Sequence, residues 1–236
     1  MPPEHPLGSS NRWEAGLDAR SQVLARARLA LRAGAGDGSA PERGSAAVKR
    51  DYRGSTGQGG NLDIFADRLV DYGARVRRCA GDGVQAQVTE ALAERAATRV
   101  VVPAGFPAGW LPVAPAAAPA ARLELLTDEP VLSAAALDGC DGVVTTCAAA
   151  IAETGTIILD HGPGQGRRAL TLVPDYHLVV VQARQVLAGV PDAVALVRTA
   201  SPVTWISGPS ATSDIELNRV QGVHGPRHLA VVLAEG

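Results

Sequence analysis

The residues best suited to chemistry lie in glycine-bearing stretches of the C-terminal half. The first, Ala148-Ala149-Ala150-Ile151-Ala152-Glu153-Thr154-Gly155-Thr156, sets one carboxyl group in an apolar run. Burial there would raise the pKa of Glu153 and suit it to acid–base work. A glutamate that satisfies nearby backbone N–H groups is the equal alternative. The second stretch, Ser207-Gly208-Pro209-Ser210-Ala211-Thr212-Ser213-Asp214-Ile215-Glu216, follows the apolar run VTWI. Gly208 and Pro209 turn the chain. Ser210, Thr212 or Ser213 then caps a short helix, with Ser213 and Glu216 at capping-box spacing. Such a turn offers N–H groups to an anion, and an ordinary capped helix explains the same residues. It is not a Walker loop, having no GK[ST]. In the third, Gly222-Val223-His224-Gly225-Pro226-Arg227-His228, His224 stands ready to bind an anion or move a proton. A tight turn into the last strand would account for it as well. A fourth, His161-Gly162-Pro163-Gly164-Gln165-Gly166-Arg167-Arg168, lacks GxGxxG spacing and reads as a hairpin loop.

Other chemistries are set aside by residue type. Lys49 is the single lysine among 22 basic residues, which removes a Schiff-base mechanism. The five histidines form no HxxxH or HExxH pattern. Cys79, Cys140 and Cys147 form no CxxC clip, so reduced thiols are expected. Ser210, His224 and Asp214 make no hydrolase triad without a GxSxG elbow. Neither bound iron nor flavin is expected in this chain. An aromatic content of 3% and a net charge of −2 argue against a nucleic-acid surface. No apolar run of membrane-spanning length occurs, and the start Met1-Pro2-Pro3-Glu4-His5-Pro6 is no secretory signal. The expected location is the cytoplasm.

The elements that must position these residues read as α/β. Leu17, Leu24, Ala27 and Leu31 recur at helical spacing, so Trp13–Leu31 is expected to be a helix in an N-terminal arm over 1–33. Residues 34–61 are rich in Gly and Ser and are expected to be a flexible linker. From 62 to 236, helices at Leu62–Tyr72, Val84–Ala97 and Val131–Leu137 alternate with strands at Arg75–Cys79, Arg99–Val102, Leu123–Leu126 and Gly142–Thr146. A short apolar turn or helix precedes a strand at Thr156–Leu159. Strands are further expected at Leu170–Val173, Leu178–Val181, Val203–Ile206 and Leu229–Leu233. The pattern predicts a Rossmann-like mixed sheet, largely parallel, with some antiparallel pairing after Thr156. Glu153, Ser210, Asp214 and His224 are then expected to share a pocket at the carboxyl edge of the sheet. For His224 this requires the last strand to run antiparallel to its neighbours.

Taken in order, AIAETGTIILD (150–160), GRRALTLVPDYHLVVV (166–181) and WISGPSATSDIELNRVQGVHGPRHLAVVL (205–233) resemble the lactate-utilisation protein C family, also called the LUD domain. RARLAL and DYR in the arm match more loosely. The resemblance implies a fold like that of the glucosamine-phosphate isomerase, ribose-phosphate isomerase and CoA-transferase group. It implies a part in oxidising L-lactate to pyruvate beside two companion proteins that carry iron–sulfur clusters, with no cofactor in this chain. It leaves open whether this chain is itself catalytic and whether it forms a homodimer. The motif positions carried over are Glu153, Thr154, Gly155, Gly208, Pro209, Ser210, Asp214, Glu216, Gly222, His224 and Gly225. Glu153 and His224 are the catalytic candidates. Thr154, Gly155, Gly208, Ser210, Thr212, Asp214, Glu216 and Gly225 are the candidates for holding a small carboxylate or phosphate. A stand-alone enzyme on a CoA ester or sugar phosphate, by analogy of fold, is the runner-up. A non-catalytic assembly factor docking through the arm is the third reading.

Overall fold

Runs of β-branched residues make the framework, and the helices cover it. The structure, a computed structural model, describes residues 19–33, 51, 53–113, 123–197, 202–212, 220–221 and 225–236. The chain divides into two units, Met1–Tyr52 and Arg53–Gly236. In the first, helix α1 spans Ala19–Ala33, within and just beyond the expected Trp13–Leu31. Residues 13–18 lie outside the described residues.

The second unit opens with helix α2 (Leu62–Asp71), strand β1 (Arg75–Ala80), helix α3 (Val84–Glu94) and strands β2 (Arg99–Val101) and β3 (Glu124–Leu126). Helix α4 (Ala134–Asp138) leads to β4 (Gly142–Thr145), β5 (Ala149–Ile151), β6 (Thr156–Leu159), β7 (Tyr176–Gln182) and β8 (Val186–Leu187). Helix α5 (Val190–Leu196) and strands β9 (Thr204–Ile206), β10 (Ala211–Thr212), β11 (Val220–Gln221) and β12 (His228–Glu235) complete it.

Six strands form a parallel sheet in the order β1-β12-β7-β4-β2-β3. A parallel sheet is covered on both faces, so its strands are apolar throughout and alternate residues serve opposite layers. On β12, Leu229, Val231 and Leu233 join Phe65 and Leu69 of α2 and Ile157 and Leu159 of β6. Ala230 and Val232 join Val84, Val88 and Leu92 of α3 on the other side. The first face is covered partly by a second sheet, ordered β8-β5-β6-β9, in which β6 is antiparallel to both β5 and β9. Ala149, Ile151 and Ile158 of that sheet bury their outer sides with Ala193 of α5.

Four expectations change. The turn or helix expected before Thr156 is strand β5 and a hairpin turn, because Ala149 and Ile151 pack outward while Ala150 packs inward. The strand expected at Leu170–Val173 is a 3-10 turn, Arg168–Thr171. Leu170 is buried but Leu172 is exposed, and a strand would have put both on one face. Ala211–Thr212 is a short strand paired with Val220–Gln221, not a helix start. Ser213 and Glu216 lie outside the described residues. Finally, β12 is parallel to both neighbours, so its start lies at the amino end of the sheet.

The stretch expected as a linker divides. Residues 34–50 and 52 lie outside the described residues, whereas 53–61 are fastened to the α/β unit. Asp192 accepts from Ser55 Oγ at 2.7 Å and from the N–H groups of Thr56 and Gly57 at 2.6 and 3.0 Å. The Ser55 bond foremost, with the N–H bonds of Gly57, Thr56 and Gly189, lowers the Asp192 carboxyl to about 2. The Gly60 N–H donates to the Val186 carbonyl at 2.7 Å, and Asn61 caps α2 through Asp63 and Ile64.

Candidate functional site

His177 is a polar residue in the apolar run of β7. Strand alternation turns it to the same face as Val179 and Val181, towards the small sheet. It is 1% exposed, and its Nε2 lies 2.8 Å from Thr145 Oγ1 on the adjacent strand β4. Nδ1 has no partner. No side-chain nitrogen or oxygen among the described residues is both fully buried and unbonded. His177 also lines a cavity. Burial first, and the charge of Arg168 second, lower His177 to about 3, so the ring is neutral near pH 7.

The cavity has a volume of about 160 Å³ and sits beside the amino ends of β7 and β12. Arg168, at the start of the 3-10 turn, brings a guanidinium to its wall. Nη1 makes two long contacts, each 3.4 Å, to the carbonyl and hydroxyl of Thr171. Among the described residues no carboxylate pairs with Arg168. The loop after β9 closes the other side with Ser207, Gly208 and Ser210, and Gly225 and Pro226 complete it. The Ser210 N–H donates to the Pro226 carbonyl at 2.8 Å, which ties the two motif loops together. Gly208 has φ +84°, and a Cβ there would stand 2.7 Å from Tyr72 Cβ. The loop thus approaches the end of α2 as closely as glycine allows.

Hydroxyl groups run from this wall into the small sheet. Ser207 Oγ is 2.8 Å from Thr156 Oγ1, which is 2.7 Å from Thr154 Oγ1 in the β5–β6 turn. The first and second sequence motifs therefore meet through three side chains. Gly155, with φ +58°, serves packing instead: a Cβ there would lie 2.7 Å from Arg68 Cβ of α2.

Of the ten candidate residues, Gly208, Ser210 and Gly225 line this one cavity. Thr154 joins it through Thr156 and Ser207. Thr212 lies in β10, and Asp214, Glu216, Gly222 and His224 lie outside the described residues. Glu153 stands apart. It is not buried in an apolar pocket: its side chain is 49% exposed and paired with Arg53. The reason is the hairpin turn, which projects Glu153 out of the sheet while Ala150 turns inward and Ile151 packs with Ala193 of α5. Ser210 lies by the amino ends of β7 and β12, not at the carboxyl edge where it was expected to share a pocket with Glu153, Asp214 and His224. His177, Arg168 and Thr145 were missed by the sequence reading. The signal lay in GRRALTLVPDYHLVVV, where a histidine interrupts a run otherwise fit for burial.

Among the described residues no cluster of His, Cys, Asp or Glu comes together to hold a metal ion. None of the described helices is long and apolar enough to cross a membrane.

A LUD domain model matches residues 128–234, which contain every cavity residue just named. Lactate utilization protein C of Deinococcus radiodurans is 50% identical over 176 residues, covering 73% of this chain and 78% of that one. Lactate utilization protein C of Halalkalibacterium halodurans is 33% identical over 93 residues, covering 36% of this chain and 40% of that one. The crystal structure of a DUF162 family protein from Deinococcus radiodurans is 42% identical, with a TM-score of 0.59, and covers 74% of this chain and 96% of that one. Fold and motifs together define an α/β protein of the LUD-domain class. Within that class, the chain belongs to the lactate utilization protein C family.

Proposed function

We propose that this chain serves L-lactate utilisation by holding a small carboxylate, L-lactate or pyruvate, in the cavity beside His177. Partner proteins with iron–sulfur clusters take up the electrons. The family supports the role, and one observation carries the site: Arg168 and His177, whose ring is neutral near pH 7, line the same small space. Its 160 Å³ equals about five water volumes, a fit for a ligand of six heavy atoms. Arg168 matches the carboxylate through paired N–H bonds. His177 Nδ1 meets the oxygen on C2. Oxidising lactate releases two electrons and two protons. A ring lowered to about 3 holds a proton poorly, so His177 orients the C2 hydroxyl by hydrogen bonding. The Ser207–Thr156–Thr154 hydroxyls give a released proton a way towards the β5–β6 turn.

The test is calorimetric titration of the purified chain with L-lactate, pyruvate and propionate, the last lacking the C2 oxygen. Lactate and pyruvate are expected to bind, propionate more weakly, and Arg168→Gln is expected to weaken all three. Equal binding of the three acids, or no effect of Arg168→Gln, would remove the cavity from the reading. Co-purification from cells grown on lactate is expected to bring down iron–sulfur proteins.

A further inference from the structure

A second and much larger cavity, about 810 Å³, lies past the carboxyl ends of β2 and β3. Crevices at that edge of a parallel sheet are where α/β proteins place ligands. Its volume is roughly 27 water volumes, far beyond a small acid and within the range of cofactor sites. The glycine-rich loop 161–168, which the sequence reading gave only as a hairpin, forms its wall.

That wall is rigid. The Gln165 amide donates to Asp160 Oδ1 and its oxygen accepts from the Asp160 N–H, both at 2.8 Å. The Gly164 N–H donates to the Ala104 carbonyl in the turn after β2, and the Thr146 N–H to the Gly164 carbonyl, again at 2.8 Å. Arg167 grips Asp128 with two bonds, 2.7 and 3.1 Å, so these opposite charges cancel. His161 sits at φ +62°, a costly conformation for a non-glycine residue. Its Nδ1 donates to the Gly166 carbonyl at 2.9 Å, which leaves Nε2 as the ring's remaining polar atom.

Three kinds of surface remain for a ligand. Pro103, Pro163 and Pro202 give flat apolar faces. Glu129 is an exposed carboxylate that no cation pairs with among the described residues. Arg168 supplies a cation for an anion and lines both cavities, while His161 Nε2, with Nδ1 donating to Gly166, is an acceptor for a hydroxyl or amino group. We infer that the carboxyl-edge cavity is a nucleotide site, with the base against the prolines, the ribose hydroxyls on Glu129 and the phosphates at Arg168. A carboxylate is the natural acceptor for a ribose diol, and an arginine for phosphate. This goes beyond the lactate reading, and it places a large anionic ligand and the small acid on opposite sides of one arginine.

Calorimetry on the full chain with ADP, adenosine and pyrophosphate tests it. ADP is expected to bind more tightly than either fragment. Glu129→Gln is expected to weaken ADP by about tenfold, the loss of one charge-assisted hydrogen bond, and to leave pyrophosphate unchanged. Glu129 is exposed, so the variant keeps the fold, and circular dichroism checks this. Absence of ADP binding at millimolar concentration overturns the inference. So does equal binding of ADP and pyrophosphate, or of ADP to wild type and Glu129→Gln. L-lactate titrated into ligand-free wild type and Glu129→Gln reads the small cavity separately, so either site can fail without the other.

Discussion

His177 and Glu153 exchange the roles that local sequence suggests for them. Glu153 looks like a carboxyl enclosed by alanines, yet a hairpin carries it to the surface and Arg53 neutralises it. His177 falls just ahead of the strand expected at Leu178–Val181, yet it lies within β7, buried, with Nε2 at Thr145, and lines a cavity. Exposed ion pairs contribute little. Glu153→Gln is therefore expected to leave the melting temperature nearly unchanged and to support lactate-dependent growth at the wild-type rate. Loss of growth with the fold intact would return Glu153 to the site. Arg168→Gln is expected to cost at least tenfold in lactate affinity by calorimetry, since a charged hydrogen bond typically contributes about 1.5–3 kcal/mol. Residue types alone marked Gly208, Ser210 and Gly225, because turn chemistry is local. They did not mark Arg168, whose place at the cavity depends on a 3-10 turn that reads as a strand.

At the scale of elements, helical periodicity and β-branched runs located α2, α3 and most strands of the parallel sheet to within a few residues. They failed where one short element packs on two sides. β5 has only three residues, and both its faces are buried, so no alternation shows. Turns were legible as turns, but what they approach was not. Gly208 illustrates this: its partner, Tyr72, is distant in sequence. Gly208→Ala is expected to destabilise the protein by about 1–3 kcal/mol, from a strained φ and a collision with α2, read as a lower melting temperature. Asp192 does for the strap over 53–60 what Gly208 does for the motif loop. Its folded pKa of about 2 lies below the ordinary 3.8. Its contribution is thus complete above pH 4 and is lost as pH falls through 2. Asp192→Ala is expected to open residues 53–60 to limited proteolysis at neutral pH, ahead of cleavage anywhere between Leu62 and Leu111. An unchanged cleavage order would show that the Gly60 bond alone holds the strap.

The whole molecule decides which end of the sheet a motif reaches. Strand period is blind to direction, and β12 reads the same whether parallel or antiparallel. Because it enters between β1 and β7 in parallel, the third motif arrives at the amino end, opposite to the edge where α/β ligands are first sought. His177 sits in the central strand β7 of that sheet, so its ionisation bears on global stability. Its folded pKa of about 3 lies below the ordinary 6.5. Between those values the unfolded chain binds a proton that the folded chain refuses. Stability is therefore full above pH 6.5 and declines as pH falls towards 3. Each pH unit in that window costs up to about 1.4 kcal/mol, so roughly 2 kcal/mol is lost by pH 5 from this ring alone. Asp128, Asp141 and Asp175 are all held below their ordinary value and titrate lower in pH. His228, partly exposed near Asp175, is held below its ordinary value, chiefly by burial, and is common to wild type and variant. Urea unfolding at pH 7 and pH 5 is expected to show His177→Gln less stable than wild type at pH 7 but with a smaller loss on acidification. Parallel losses in the two proteins would mean that His177 accepts a proton without opening β7, and the neutral imidazole in the small cavity would have to be abandoned.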